Sequence, residues 1–503
     1  MKKQVLICLM LGLALMLSAC QSSQDALTTP NPSGQPSGAP SSGLTTTPTP
    51  TLESTVMPTS TAMPTSTPAA PSDAPLAISP TPAATQTPGF VPPFHFEYPD
   101  AVRGIYVTGW SAGGERMSKL LSLVDNTDLN AMVIDIKDDD GYITFKPEGK
   151  LAEFGQPYIK DPKALLKTLE EHKIYPIARI VVFKDTVMAK KRSDLSFIDG
   201  SSIWRNSNGD SFINPFLKET WDHNVEVAKL AVELGFKEIQ FDYVRFPEGF
   251  ESRDNVLKYA MGDYKDKKPT KFVQEEKDYA EASKKYQEDL ASLELKLADA
   301  SNAYNSEKSE ANKKVMDDAQ KNVSDLKKGA PRAPDFSDKA RMTQLRVDAV
   351  SDFVAYAKDQ LKPYGVDVSV DIFGYSATLP EAPGIGQNFN RIASSVDVIS
   401  SMIYPSHWSN GYFGISKPDK EPYNLVAEYM KAEKAKFAQL QSPPQSRPWI
   451  QDFTASWLGA GNYIKYGKAE VDAQIKALHD AGVQEYLIWN ANNNYSEGVT
   501  YIP

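Results

Sequence analysis

The chain has 503 residues, of which 41% are hydrophobic, and a formal net charge of -10. That length and apolar content suffice for one large buried core with accessory segments around it. The acidic balance and the lack of an arginine-rich tract disfavour a nucleic-acid partner, because phosphate neutralisation requires clustered Lys and Arg.

Residues 1–20 have the pattern of a bacterial export signal. Two lysines precede an apolar run over 5–17, and Leu17-Ser18-Ala19-Cys20 places small residues before a cysteine. The run is shorter than the ~20 residues that span a bilayer. The pattern is similar to the lipobox of bacterial lipoproteins, which implies a lipid on Cys20 and an extracytoplasmic protein anchored to the bacterial cell membrane. An ordinary signal peptide cleaved nearby is the alternative.

Residues 21–99 are rich in Pro, Thr and Ser. Of the 36 prolines in the chain, 17 lie between Pro30 and Pro99. Such a segment has too little apolar surface to offset the entropy lost on ordering, so we expect a disordered tether between membrane and folded domain.

Folded sequence is expected from about Asp100 onward. Helical patterns alternate there with eight short segments that read as buried parallel strands, namely 102–108, 131–137, 174–183, 237–247, 366–373, 396–404, 448–453 and 483–489. This order predicts an α/β fold of the (β/α)8 TIM barrel class over 100–503. A doubly wound dinucleotide-binding sheet is disfavoured, because the turn after the first strand lacks the G-x-G-x-x-G spacing.

Residues 250–336 interrupt the alternation after the fourth strand. The segment is rich in Lys, Glu, Asp and Ala, and apolar residues recur over 279–304 at spacings of three and four. This pattern predicts a coiled-coil helical hairpin with its tip near 302–309 and an apolar seam on the return arm. The seam residues predicted for that arm are Ala311, Val315, Val323 and Leu326. The hairpin could be a lid, a docking arm for a protein partner, or a neutral insertion.

Ionisable side chains occur at or near the carboxyl ends of most predicted strands. In a parallel barrel these ends share one crevice, and a buried charge without a partner is costly, so a cluster of such groups favours a functional site. Each group alone could equally be a structural ion pair. Simple alternation makes Asp135 and Lys137 both face the barrel interior. The set comprises Asp135, Lys137, Arg179, Asp242, Arg245, Asp371, His407 and Asp452.

Aromatic residues accompany these groups and favour a carbohydrate ligand. Tyr404, Trp408 and Trp489 follow or end predicted strands, and flat apolar faces rimmed by polar groups suit sugar rings, although some aromatics must belong to the core. Glycoside hydrolysis needs two carboxyl groups flanking the scissile bond. Asp242 and Asp371, on adjacent strands, are the candidates.

Several motifs together resemble the bacterial "putative glycosyl hydrolase domain" family called domain of unknown function 4015. They are Arg103-Gly104-Ile105-Tyr106, Val133-Ile134-Asp135-Ile136-Lys137, Phe241-Asp242-Tyr243-Val244-Arg245-Phe246-Pro247, Asp371-Ile372-Phe373-Gly374 and Met402-Ile403-Tyr404-Pro405-Ser406-His407-Trp408. The resemblance implies a TIM barrel akin to glycoside hydrolases.

By analogy with related barrels, Asp242 is the candidate nucleophile or base and Asp371 the candidate acid. The two roles are exchangeable, and Asp135 or Asp452 could replace either residue. Arg245 is interpreted as an orienting or charge-tuning group, and the remaining residues of the set as substrate-binding groups.

We expect neither a metal nor another cofactor. The histidines lack zinc-ligand spacing, and Asp138-Asp139-Asp140-Gly141 fits a solvated acidic turn better than a calcium loop. The sequence therefore predicts a glycoside hydrolase acting on an envelope or extracellular polysaccharide or oligosaccharide. A non-catalytic carbohydrate-binding lipoprotein and an envelope scaffold working through the helical arm are the alternatives.

Overall fold

The computed structural model describes residues 90–503. The predicted export signal, Cys20 and the predicted tether up to residue 89 lie outside the described residues.

Eight parallel strands form a closed barrel, which confirms the predicted fold class. Strand β8 pairs with β1, and β7 pairs with both β8 and β6, so the sheet has no free edge. The strands are β1 Arg103–Val107, β2 Ala131–Lys137, β3 Tyr175–Val181, β4 Glu238–Asp242, β5 Asp367–Phe373, β6 Val398–Met402, β7 Trp449–Gln451 and β8 Tyr486–Trp489.

Helices surround the barrel and bury their apolar faces against the outward side chains of the strands. They are α1 Arg116–Asp125, α2 Pro162–Glu171, α3 Lys218–Leu234, α6 Asp338–Leu361, α7 Pro422–Phe437 and α8 Lys468–Asp480, and α4 Thr270–Ser306 and α5 Glu310–Lys328 form the insertion. Between β5 and β6 the chain forms two short helices, Tyr375–Thr378 and Phe389–Ala393.

The barrel interior is layered, because alternate residues of each strand point inward. At the amino-terminal end, Arg447 donates two hydrogen bonds of 2.8 Å to Glu238 and one of 2.8 Å to Glu485. In the middle, the Gln240 amide donates to Ser400 Oγ at 3.3 Å. At the carboxyl end, Asp135, Arg179, Asp242 and Asp371 fill the top layer.

Residues 90–99 pack against the amino-terminal end of the barrel, so the folded part begins earlier than the predicted boundary near Asp100. Phe90 contacts Tyr364 with ring centroids 5.3 Å apart, and Phe96 is buried. The Tyr98 hydroxyl donates to Glu485 at 2.9 Å and accepts from Arg447 at 2.7 Å. This segment therefore covers the end of the barrel opposite the predicted site.

The insertion folds as two helices, α4 and α5, joined by a turn at 307–309 that falls within the predicted tip. Ala300 and Val323 are the buried residues between them, whereas Val315 is exposed, contrary to its predicted place in the seam. Helix α5 ends at Lys328, and residues 329–337 lead back to α6. Coiled-coil packing between the two helices stays a prediction.

Within residues 90–503, no helix combines the length and the apolar character needed to cross a membrane.

Candidate active site

Arg179 lies at the centre of the charged cluster at the carboxyl end of the barrel. The alternation of β3 directs Tyr175, Ile177 and Arg179 into the interior, where the Arg179 side chain is 1% exposed. Its guanidinium donates to Asp135 at 2.7 Å and to Asp242 at 2.6 and 3.0 Å. One fork-shaped cation thus holds carboxylates from the two neighbouring strands, β2 and β4.

Asp135 is bound on its other side by Tyr106. The Tyr106 hydroxyl donates to Asp135 Oδ2 at 2.6 Å. Burial raises the pKa of Asp135 to about 6, although Arg179 and Tyr106 act in the opposite direction. Both Asp135 oxygens are therefore occupied by protein donors.

Asp242 is the last residue of β4, and the residue after it, Tyr243, has a strained backbone conformation. The Asp242 Oδ1 accepts a hydrogen bond from the Tyr243 N–H at 2.6 Å, and Tyr243 has a φ of 52°, a region that a non-glycine residue rarely occupies. Such strain costs on the order of 1–3 kcal/mol and concentrates at functional sites. Strand β4 therefore ends at Asp242, whose side chain accepts from Arg179, and the chain leaves the sheet at Tyr243.

Asp371 lies on β5, the strand that neighbours β4. It is 2% exposed, and its Oδ1 accepts a hydrogen bond from Trp449 Nε1 at 2.7 Å. Burial raises the pKa of Asp371 well above its ordinary value, and the negative charge of Asp242 raises it further. Asp371 thus favours its protonated form more than an ordinary carboxyl group does, and it lies beside an Asp242 that is paired with Arg179, an arrangement suited to an acid and a base.

The acidic turn after β2 contributes a third carboxylate to Arg179. Asp139 lies 3.4 Å from Arg179 and 3.4 Å from Lys184. Burial acts to raise the pKa of Asp139, but these two cations outweigh it and hold the pKa at about 2. Asp138 accepts the backbone N–H groups of 140–142 and so shapes the turn. Asp138 and Asp139 are half-buried and have partners within the protein, whereas Asp140 of the same turn is exposed.

Aromatic rings line one side of the same layer. Trp489 stacks on Tyr106 with centroids 4.0 Å apart, and the Arg179 guanidinium lies 5.3 Å from the Trp489 ring centroid. Tyr404 contacts Trp489 at 6.4 Å, and His407 contacts Tyr404 at 5.2 Å. Burial lowers the pKa of His407 to about 4, so its imidazole is neutral at neutral pH.

Lys137 does not face the barrel interior, and the prediction that it does is wrong. The pairing of β2 with β3 shifts register between Asp135 and Lys137, so the alternation slips at this point. The Lys137 ammonium is fully buried and forms an ion pair of 2.7 Å with Asp185. It also donates to Asn224 on α3 at 3.1 Å. Lys137 thus joins the sheet to the helix layer and has no surface open to a ligand.

Trp408 is also placed away from the predicted cleft. Its ring packs against Tyr412 at 4.7 Å and against Tyr429 of α7 at 6.0 Å. It belongs to the core between barrel and helices and not to the cluster inside the barrel that holds Tyr404 and Trp489, so a substrate-binding role does not fit this placement.

Two further predicted residues lie near the site without joining the Arg179 cluster. Arg245 contacts Glu248 at 3.3 Å and lies over the rings of Tyr243 and Phe373, each with its centroid at 4.7 Å. Asp452 accepts two hydrogen bonds from Ser496, at 2.6 and 2.8 Å. Asp452 therefore holds the C-terminal loop against β7.

The sequence predictions missed Tyr106, Asp139, Lys184 and Trp449. Tyr106 and Trp449 could have been found from the alternation of β1 and β7, which places both side chains inside the barrel. Asp139 follows a strand end, the same signal that marked Asp135. Lys184 had no comparable signal, because it reaches the cluster only through the fold of the loop after β3.

Among residues 90–503, no group of three or more His, Cys, Asp or Glu side chains is arranged to hold a metal ion. The acidic groups of the cluster are instead paired with Arg179 and Lys184.

A barrel with two buried carboxyl groups on adjacent strands at its carboxyl end has the architecture of TIM-barrel hydrolases. The chain matches the model of the "Putative glycosyl hydrolase domain" family over residues 104–495, and it belongs to this family. The resemblance noted from the motifs is thereby confirmed.

Solved structures similar to this chain include glycoside hydrolase domains. That of PgaB (BpsB) from Bordetella bronchiseptica is 12% identical, with a TM-score of 0.46, and the match covers 78% of this chain and 94% of that one. That of PelA from Pseudomonas aeruginosa is 9% identical, with a TM-score of 0.37, covering 80% and 99%. A hypothetical protein from Ruminiclostridium thermocellum is 34% identical, with a TM-score of 0.29, covering 31% and 82%. No curated protein matches the chain.

Proposed function

We propose that this protein cleaves glycosidic bonds of an envelope or extracellular polysaccharide by a two-carboxylate mechanism, with Asp371 as acid and Asp242 as nucleophile or base. The observation that carries the proposal is the contrast between the two carboxyl groups. Burial and the neighbouring charge of Asp242 raise the pKa of Asp371, whereas Asp242 is paired with the Arg179 guanidinium.

In the proposed reaction, Asp371 donates its proton to the glycosidic oxygen as the bond from that oxygen to the anomeric carbon breaks. Asp242 either attacks the anomeric carbon, forming an ester that water then hydrolyses, or removes a proton from the attacking water. Arg179 acts as a positioning residue, because it holds Asp242 in place through two hydrogen bonds. The rings of Trp489 and Tyr404 supply apolar faces for the sugar.

The test compares Asp242→Asn and Asp371→Asn with the wild type on a panel of purified polysaccharides, measured as release of new reducing ends. Each substitution is expected to lower the rate by about 10²–10⁴-fold, the usual contribution of general acid–base catalysis. Asp367→Asn is the matched control, because Asp367 lies on β5 like Asp371 but at the opposite end of the barrel. We expect this control to retain activity.

The result that would contradict the proposal is a wild type that binds a polysaccharide of the panel but releases no reducing ends from any of them. Such an outcome favours the non-catalytic carbohydrate-binding lipoprotein. Equal activity of the wild type and both Asn variants would instead exclude Asp242 and Asp371 from the chemistry.

We further propose that the protein acts outside the cytoplasm, anchored to the bacterial cell membrane through a lipid on Cys20. The support is the sequence pattern of residues 1–20 together with the Pro-rich stretch that follows it.

A further inference from the structure

The tryptophans of this protein divide sharply by exposure. All seven lie within the described residues, and five of them are buried. The exceptions are Trp110, which is 63% exposed, and Trp457, which is 49% exposed. A tryptophan forfeits much of its burial free energy when its ring faces water, and in exchange two flat apolar faces remain open to a ligand.

Both exposed rings lie on the face of the barrel that carries the candidate active site. Trp110 is in the helical turn Gly109–Ala112, which follows the carboxyl end of β1. Trp457 is in the turn Ser456–Leu458, which follows β7. Strands β7 and β1 both neighbour β8, so the two rings flank the end of β8, across the barrel mouth from β4 and β5.

Each exposed ring is held by a second aromatic ring. Trp110 stacks on Tyr158 with centroids 3.9 Å apart and an interplanar angle of 25°. Trp457 stacks on Phe453 with centroids 5.9 Å apart and an angle of 22°. A ring fixed in this way presents its free face to solvent with little rotamer entropy left to lose when a ligand binds.

A continuous series of ring contacts joins Trp457 to the carboxylates. Phe453 contacts Tyr404 at 5.8 Å, Tyr404 contacts Trp489 at 6.4 Å, and Trp489 contacts Trp449 at 5.5 Å. Trp449 in turn donates its hydrogen bond to Asp371. We name the four residues Trp457, Phe453, Tyr404 and Trp489 the aromatic strip. The aromatic strip runs from the exposed Trp457 to Trp489, and Trp489 contacts Trp449, the donor to Asp371.

We infer that Trp110 and Trp457 are sugar-binding platforms that hold a glycan chain on the side of the barrel mouth formed by β7, β8 and β1, with the aromatic strip leading from Trp457 towards Asp371. The inference rests on the proposed function and deepens it, because it names the residues that bind a polymer of several sugar units away from the bond that is cleaved. The flat apolar face of a pyranose ring matches an exposed indole face, and two separated platforms require a ligand that extends over both.

The test uses native gels cast with soluble chitosan, hyaluronan, xylan or dextran, in which retardation measures the dissociation constant for each polymer. We expect Trp110→Ala and Trp457→Ala each to raise the dissociation constant for a retarding polymer at least about tenfold, the scale of an aromatic hot spot. Trp110→Phe and Trp457→Phe keep a flat ring and should restore most of the affinity.

Tyr364→Ala is the matched control, because Tyr364 forms an aromatic pair with Phe90 at the opposite end of the barrel. Its affinity should equal that of the wild type, and thermal unfolding of every variant excludes misfolding as the cause of a loss. Reducing-end release is measured on the same four polymers, so that binding and hydrolysis are scored separately.

The outcomes separate this inference from the proposed hydrolysis. Loss of retardation in the Ala variants supports the platforms, whether or not the wild type cleaves the polymer. Retardation that is unchanged in both Ala variants, or absent for the wild type with all four polymers, overturns the platforms. Cleavage of a polymer by the wild type would leave the proposed hydrolysis standing in either of those cases.

Discussion

Arg179 is the residue on which the charge balance of the site depends. Three carboxylates, Asp135, Asp139 and Asp242, lie within 3.5 Å of its guanidinium, which is almost completely buried. Replacing one partner of a buried ion pair lowers the stability of the fold more than replacing both partners by apolar residues, because the remaining charge stays buried without a partner. Arg179 therefore both stabilises the fold and positions Asp242.

We expect Arg179→Met to lower the free energy of unfolding by about 3–5 kcal/mol at neutral pH, as measured by urea denaturation. Arg192→Met is the control, because Arg192 pairs with Asp194 and Glu219 on the surface, where ion pairs contribute at most about 1 kcal/mol. If both variants lose equally little stability, the Arg179 cluster is not the electrostatic centre described above.

The hydrogen bond from Trp449 to Asp371 gives a pH prediction at the same scale. The indole N–H favours the ionised form of Asp371 and so lowers its pKa, against the larger upward effects of burial and of the Asp242 charge. Trp449→Phe removes this donor, so the pKa of Asp371 should rise further. An acid catalyst loses activity as pH rises through its pKa, and the alkaline limb of the rate profile should therefore move to higher pH.

The measurement is kcat as a function of pH for the wild type and Trp449→Phe on any glycan that the wild type cleaves. Trp204→Phe is the control, because Trp204 is buried elsewhere, beside Phe212. A shift of the alkaline limb to lower pH in Trp449→Phe would show that Asp371 is not the group that titrates there.

At the scale of elements, the strands position the site and the insertion stands apart from it. Helix α4 is 37 residues long, and the two insertion helices bury only Phe272, Ala300 and Val323. The base of the insertion is tied to the barrel by an ion pair between Lys271 and Glu381, and within the insertion Phe272 contacts Phe336 with ring centroids 4.8 Å apart. The helices therefore depend on the barrel more than the barrel depends on them.

Replacing residues 275–333 by a short Gly/Ser linker should leave the barrel folded, with a change of no more than about 2–4 °C in Tm, the shift expected for about 1 kcal/mol. The contact of Phe272 with Phe336 makes this join possible, because it brings the two cut ends together. Thermal unfolding checks the fold, and reducing-end release checks the site. Loss of function with both Asn variants active would favour the scaffold alternative, in which the helical arm binds a protein partner.

At the scale of the whole molecule, the chain enters the barrel at the end opposite the site. Residues 90–99 pack on the amino-terminal end through Phe90, Phe96 and Tyr98, whereas Asp242 and Asp371 lie at the carboxyl end. If the chain is tethered through residues 21–89, as we propose, the tether attaches to the face away from the substrate. A membrane-bound barrel could then present its mouth to glycans beyond the membrane.

We expect Cys20→Ser to abolish incorporation of radiolabelled palmitate and to move the protein from the membrane fraction to the soluble fraction. Cys8→Ser is the matched control, because Cys8 lies within the segment that cleavage before Cys20 would remove. It should remain labelled and membrane-bound. Labelling of the Cys20→Ser protein would contradict the proposed anchor.

The barrel follows from the residue pattern, because eight apolar segments alternating with amphipathic helices leave few other ways to bury so much surface. The residue pattern also identified Asp135, Arg179, Asp242 and Asp371 as groups at strand ends, since the period of two is fixed by the strand backbone. The same rule failed at Lys137, where a register shift in β2 reverses the side on which the side chain lies. A local irregularity of this kind leaves no mark in a pattern of residue types.

Long-range packing, and not the residue pattern, sets which charged groups meet. The pairing of Arg179 with three carboxylates, the hydrogen bond of Trp449 to Asp371, and the exclusion of Trp408 from the mouth all depend on residues far apart in the chain. Exposure was decided in the same way, since all seven tryptophans look alike in the sequence and only Trp110 and Trp457 reach the solvent. Burial and proximity set the pKa of a carboxyl group, and both are properties of the folded chain.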